Sequence, residues 1–103
     1  QLVFILQRGV RFPQGPPNMA FYVYLLLSKI NNRYYSYVGY TNDLKKRLIL
    51  HNSSKGAKYT RGKKWVIIYK KRYKNKSDAM SEEFKLKKNR KKRNILKKSF
   101  IKK

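Results

Sequence analysis

Two tyrosine-bearing triplets, Tyr22-Val23-Tyr24 and Tyr37-Val38-Gly39, precede an arginine at position 47, a lone histidine at 51 and a glutamate at 83. Phenols, a guanidinium, an imidazole and a carboxylate are groups that can grip a phosphate, move a proton or seat a cation. Carboxylates are scarce here: Asp43, Asp78, Glu82 and Glu83 are the four acids of a 103-residue chain that carries 28 Lys and Arg. A hard cation such as Mg²⁺ wants oxygen ligands and often takes only one or two carboxylates from the protein, water and phosphate supplying the rest. Asp43 and Asp78 stand where helices should begin and read as caps. Of the other pair, Glu83 points inward. With Ala79, Met80, Phe84 and Leu86 on a helix at roughly 100° per residue, their mean direction falls close to Glu83, and Glu82 lies well off it. A carboxylate turned toward a core needs a cation, and both a basic side chain and a metal ion satisfy that need.

The elements that must position these groups follow from the apolar pattern. Phe21 to Leu27 and Tyr34 to Tyr40 are aromatic and aliphatic runs, and Ser28 to Arg33 between them carries the turn signal Asn31-Asn32, so the reading is a β-hairpin. A period of two puts Tyr22 and Tyr24 on one face of the first strand and Tyr35, Tyr37 and Gly39 on one face of the second, so Tyr24 and Tyr37 line a common surface. Asn42 or Asp43 caps a helix to about Asn52, with Leu44, Arg47, Leu48 and His51 on one side of it. Ser53 to Gly62 is a polar loop with two glycines, and Trp65 to Tyr69 is a third strand for a central or edge position. Ser77 or Asp78 caps a second helix, whose later part runs into a basic tail. Lys85 to Lys103 holds eleven Lys or Arg and no acid, which reads as a solvated, fraying helix that touches phosphates.

A net charge of +24 is far beyond what solubility asks for, so the expected partner is a polyanion, with nucleic acid first. Membrane binding usually needs an apolar face or an anchor beside the charge, and neither stands out. The chain has no cysteine, hence no disulfide framework and no thiolate metal site, which suits a reducing interior. The expected location is cytoplasmic, with nucleoid association as an alternative within it. Val3 to Leu6, with Leu2 before it, is shorter than a signal-peptide core of about 7–15 residues. All three prolines fall between Pro13 and Pro17, so residues 1–18 read as an extended N-terminal extension or expression remnant ahead of a natural start at Met19. A domain over 19–90 and a basic tail over 91–103 complete the expected organisation.

Taken in order, Tyr22-Val23-Tyr24, Tyr37-Val38-Gly39, Arg47 eight residues after that glycine, His51-Asn52 with the run Lys55 to Arg61, and Ala79 through Glu83 resemble the GIY-YIG nuclease superfamily. The likeness is closest to its small single-domain members and covers about residues 20–88. Tyr22 stands where the family's name has glycine. What the resemblance implies is an α+β fold, a small three-stranded antiparallel sheet flanked by helices, with the motif tyrosines, the arginine and the glutamate in one concave surface. It further implies that Glu83 holds a single Mg²⁺ or Mn²⁺ ion, that Tyr24 helps deprotonate the attacking water, and that Tyr37 and Arg47 orient and stabilise the scissile phosphate. Gly39 is expected to let the backbone pass closely beneath the site.

Physical chemistry is compatible with those roles. A free phenol near pKa 10 is a poor base at neutral pH, and an adjacent guanidinium and metal ion both favour the phenolate. His51, one turn beyond Arg47, is suited to proton transfer or phosphate binding, or simply ends its helix. Lys58, Tyr59 and Arg61 sit in a loop that can stack on a base or grip the backbone of DNA or RNA, or stay solvated. The first expectation is therefore a metal-dependent DNA endonuclease acting on branched, nicked or damaged forms. The alternative is a non-catalytic basic nucleic-acid binder that has kept the fold; a ribosome-associated basic protein rests on charge alone.

Overall fold

In the computed structural model, which describes residues 20–102, the chain forms β1 (Phe21–Ile30), β2 (Arg33–Thr41), α1 (Leu44–Asn52), β3 (Val66–Tyr73), α2 (Lys76–Lys88) and α3 (Arg90–Ile101). A short 3₁₀ turn, Lys58–Thr60, lies between α1 and β3. The expected extension over 1–18 lies outside the described residues. Ile30 pairs with Arg33, which leaves Asn31 and Asn32 as a two-residue loop, and both have positive φ, 50° and 68°. That is the turn whose twist matches a hairpin, and asparagine tolerates it better than most residues.

The sheet is antiparallel with order β2-β1-β3, so β1 is central and its residues Tyr22 to Ser28 are buried throughout. Its two faces build two cores. Tyr22, Tyr24 and Leu26 pack with Leu44, Leu48, Trp65 and Ile67 on the α1 side. Val23, Leu25 and Val38 pack with Ala79 and Leu86 of α2, and Leu96 of α3 joins them. The additional ring at Tyr22 is thus absorbed by the first core. The α+β architecture is the one expected, and β3 takes an edge position. It starts one residue later than expected and runs on to Tyr73, because Lys70, Lys71 and Arg72 are exposed edge residues whose charge hides the strand from an apolar pattern.

The helices depart from expectation at three points. Asp43 does cap α1, accepting from Lys46 N at 3.0 Å, but α2 is capped by Asn75, which accepts from Asp78 N at 2.8 Å, rather than by Ser77 or Asp78. Asp78 sits in the first turn instead, where an acid suits the positive end of the dipole. The basic C-terminal stretch is not one fraying continuation: α2 ends at Lys88, and Asn89 both closes it and caps α3 by accepting from Lys92 N at 3.0 Å. Arg93 ties the two helices by donating from Nε to Leu86 O. Finally, Met80 and Phe84 are exposed, 47% and 57%, so the inward stripe of α2 is Ala79, Glu83 and Leu86 at i, i+4, i+7. Glu83 faces inward as expected, although two of the four residues that pointed to it, Met80 and Phe84, do not. Among the described residues no helix is long and apolar enough to cross a membrane.

Candidate active site

Register brings the two motifs together. Tyr24 pairs with Gly39 and Leu26 with Tyr37, so the two phenols are diagonal neighbours on the α1 face. A Cβ at Gly39 would collide with the Tyr24 hydroxyl and ring, which is why only glycine fits opposite this tyrosine. Asp43 starts α1 immediately after β2, and the helix carries Arg47 to the same end of the sheet. From the other layer α2 contributes Glu83. Tyr24, Tyr37, Gly39, Arg47 and Glu83, with Lys76, line one open cleft of about 480 Å³.

His51 does not line the cleft; it is buried behind it, 1% exposed. Its Nε2 lies 2.9 Å from the Tyr24 hydroxyl and its Nδ1 lies 2.9 Å from Thr60 Oγ1. The Thr60 hydroxyl donates to the Ala57 carbonyl at 2.7 Å. Burial, reinforced by the Arg47 guanidinium, pushes the His51 pKa down to about 4, so the imidazole is neutral at pH 7. Burial also pushes the Tyr24 phenol well above its ordinary value, with Tyr37 acting in the same sense. Arg47 does favour the phenolate, as expected, but the loss of hydration outweighs it. A free Tyr24 phenolate is therefore not the resting state of this protein.

The loop residues come close without entering the cleft. Tyr59, half exposed, stacks on Tyr37 with ring centroids 6.3 Å apart, and Lys63 Nζ lies 5.0 Å over the Tyr59 ring and 5.3 Å over Tyr35. Lys58 and Arg61 flank Tyr59 as exposed cations. Sequence reasoning passed over Thr60, which is fully buried beneath His51, Gly56, where a Cβ would strike His51 Nδ1, and Lys76 in the cleft wall. Thr60 lay inside the quoted run, but a hydroxyl among polar loop residues carries no mark of burial.

Glu83 is 17% exposed at its side chain, and one carboxylate oxygen pairs with Lys87 at 3.4 Å. Among the described residues no three His, Cys, Asp or Glu side chains cluster, so a caged metal of the all-protein kind has no ligand set here. A single carboxylate in an open cleft does fit a hard cation that keeps its waters. Glu82 is paired with Lys85 at 3.2 Å outside the cleft.

The three-stranded sheet and the cleft built on its hairpin define a class. The chain matches the GIY-YIG catalytic domain over residues 20–97 and belongs to that family. Its relatives carry the name UPF0213 protein. One from Oceanobacillus iheyensis is 46% identical over 67 residues, covering 64% of this chain and 74% of the relative. One from Bacillus pumilus is 52% identical over 52 residues, 50% of this chain and 53% of the relative. One from Streptococcus pneumoniae is 53% identical over 58 residues, 55% of this chain and 57% of the relative. The chain thus spans about half the length of the latter two. No solved structure matches it.

Proposed function

We propose that the protein is a metal-dependent endonuclease that hydrolyses phosphodiester bonds in DNA, with branched, nicked or damaged forms as its substrates. The observation that carries this reading is the single cleft lined by Tyr24, Tyr37, Arg47 and Glu83, with His51 directly behind Tyr24. Attack of water on a phosphodiester builds negative charge on the non-bridging oxygens. The Arg47 guanidinium offsets that charge, and the Tyr37 hydroxyl donates to the same phosphate. Glu83 would hold one Mg²⁺ or Mn²⁺ ion, which supplies Lewis acidity at the phosphate when bound.

Tyr24, rather than Tyr37, is favoured as the group that meets the attacking water, because Tyr24 alone of the two is hydrogen-bonded to His51. As the water loses its proton to the Tyr24 oxygen, the phenol passes its own proton to His51 Nε2. The phenol is neutral before and after, so its raised pKa is no obstacle. His51 is neutral at rest and offers a lone pair at Nε2, but burial and the Arg47 charge make it a weak base, so this transfer runs against its lowered pKa.

The test is cleavage of a panel of structured DNA and RNA substrates by purified protein with and without Mg²⁺ or Mn²⁺. Glu83→Gln is expected to abolish metal-dependent cutting and to retain binding. Equal cutting by Glu83→Gln would remove the carboxylate from the mechanism, and steeply salt-dependent binding with no metal-dependent product from the wild type would leave a nucleic-acid binder in its place.

A further inference from the structure

We infer that Thr60 is a positioning residue that fixes the tautomer of His51 and so decides whether Tyr24 offers the cleft a lone pair or a proton; the consequence for catalysis rests on the nuclease reading above. A threonine hydroxyl has one proton, and a backbone carbonyl can only accept. Thr60 gives that proton to the Ala57 carbonyl at 2.7 Å. What it can offer His51, 2.9 Å away, is a lone pair, so Nδ1 must carry the imidazole proton. The neutral ring then has a bare Nε2. Its partner at 2.9 Å, the Tyr24 hydroxyl, must donate to it, which leaves the phenol oxygen's lone pairs free to accept from water in the cleft.

The opposite tautomer reverses the chain. An Nε2–H would donate to Tyr24, the phenol would aim its own proton into the cleft, and an acid would stand where attack on a phosphodiester needs a base. It would also turn the Nδ1 lone pair toward the Thr60 oxygen. Thr60 could then repair the clash only by rotating its proton away from Ala57, leaving that hydrogen bond unmade.

The surroundings hold Thr60 in place. Its backbone N–H donates to the Ala57 carbonyl at 3.0 Å, and the Trp65 indole donates to the Thr60 carbonyl at 3.0 Å. Thr60 and Trp65 are both fully buried, and Gly56 packs so closely on the Nδ1 edge of the ring that not even a methyl group fits there. Because Thr60 belongs to the same turn as the exposed Lys58 and Tyr59, the element that faces solvent also sets the state of the buried imidazole.

His51 is the chain's one histidine, so ¹⁵N-histidine labelling gives a single pair of ring signals. The wild type and Thr60→Ser are expected to show a pyrrole-like Nδ1 and a pyridine-like Nε2. Thr60→Val, which keeps the shape and deletes the acceptor, is expected to move the ring toward the Nε2–H form and to lower kcat about 10²-fold with KM unchanged. A pyrrole-like Nε2 in the wild type would overturn the inference whether or not the valine variant folds, as would a valine variant whose ring signals match the wild type. The two readings fail separately: a protein that cuts with the reversed tautomer loses Thr60's role alone, and one that never cuts but shows the expected tautomer loses the nuclease reading alone.

Discussion

At Gly39 and Tyr24 the site is only as large as one missing methyl group. Gly39→Ala would place a Cβ against the Tyr24 hydroxyl and ring, and the phenol must swing away from His51 to make room. Cleavage is expected to fall about 10²-fold, the size of a lost proton-transfer contact, with a stability loss of about 1–3 kcal/mol from overpacking; kinetics and thermal melts on the same preparation check both. His51 gives a second prediction at this scale. Its pKa is 6.5 in an unfolded chain and about 4 here, so between those values the unfolded state binds more protons and stability rises with pH. The contribution is complete above about pH 7 and shrinks as pH falls through 6.5 toward 4. Between pH 6.5 and 5 the loss is expected to be about 1.5 kcal/mol. Urea melts across that window should show it in the wild type, and His51→Gln should lack it.

Between α1 and β3 the loop that carries Thr60 is pinned at its base by Asn52. The Asn52 side chain donates to Leu48 O at 3.2 Å and to Trp65 O at 3.1 Å, and accepts from Trp65 N at 2.6 Å. Removing it leaves both Trp65 backbone groups without these partners. Asn52→Ala is expected to cost about 1–3 kcal/mol and to broaden the His51 ring signals as the loop loosens, readable by melts and by the same ¹⁵N spectra. The elements themselves differed in how openly the sequence declared them. The hairpin was legible because Asn31-Asn32 is a turn with a mechanism and because a period of two places Tyr24 and Tyr37 on one face whatever the surrounding packing. Glu83's direction was only partly legible: Ala79 and Leu86 alone lie equally far from Glu82 and Glu83, and the residues that tipped the balance, Met80 and Phe84, face solvent. The start of α2 was ambiguous because Asn75, Ser77 and Asp78 are all capping types within four positions. The break at Asn89 was hidden in a lysine-rich stretch with too few apolar residues to show a change of face. Thr60 was out of reach, since its contact with His51 depends on the path of an irregular loop and on no periodicity.

Over the whole molecule the dominant quantity is charge, +24 on 103 residues, and its distribution separates holding a substrate from cutting it. Lys58 and Arg61 project from the loop beside the Tyr37–Tyr59 stack, whereas Lys70, Lys71 and Arg72 lie on the edge strand and Arg90, Lys91 and Lys92 on α3. None of these is in the cleft wall, so they are expected to contribute affinity through phosphate contacts and counterion release. With Glu83→Gln to prevent turnover, the logarithm of the binding constant for a DNA duplex should fall linearly with the logarithm of salt concentration, by about 0.9 for each phosphate neutralised. Adding Lys58→Ala and Arg61→Ala should flatten that slope by about 2. In the active protein the same pair of substitutions should raise KM and leave kcat near its wild-type value, because the Tyr24–His51–Thr60 chain behind the cleft is untouched. Titrations by fluorescence anisotropy at several salt concentrations measure the first effect and steady-state cleavage the second. If the slope stays where it was, the loop is not on the substrate path; if kcat falls along with the affinity, Lys58 or Arg61 takes part in the chemistry and the division between a gripping surface and a cutting cleft does not hold.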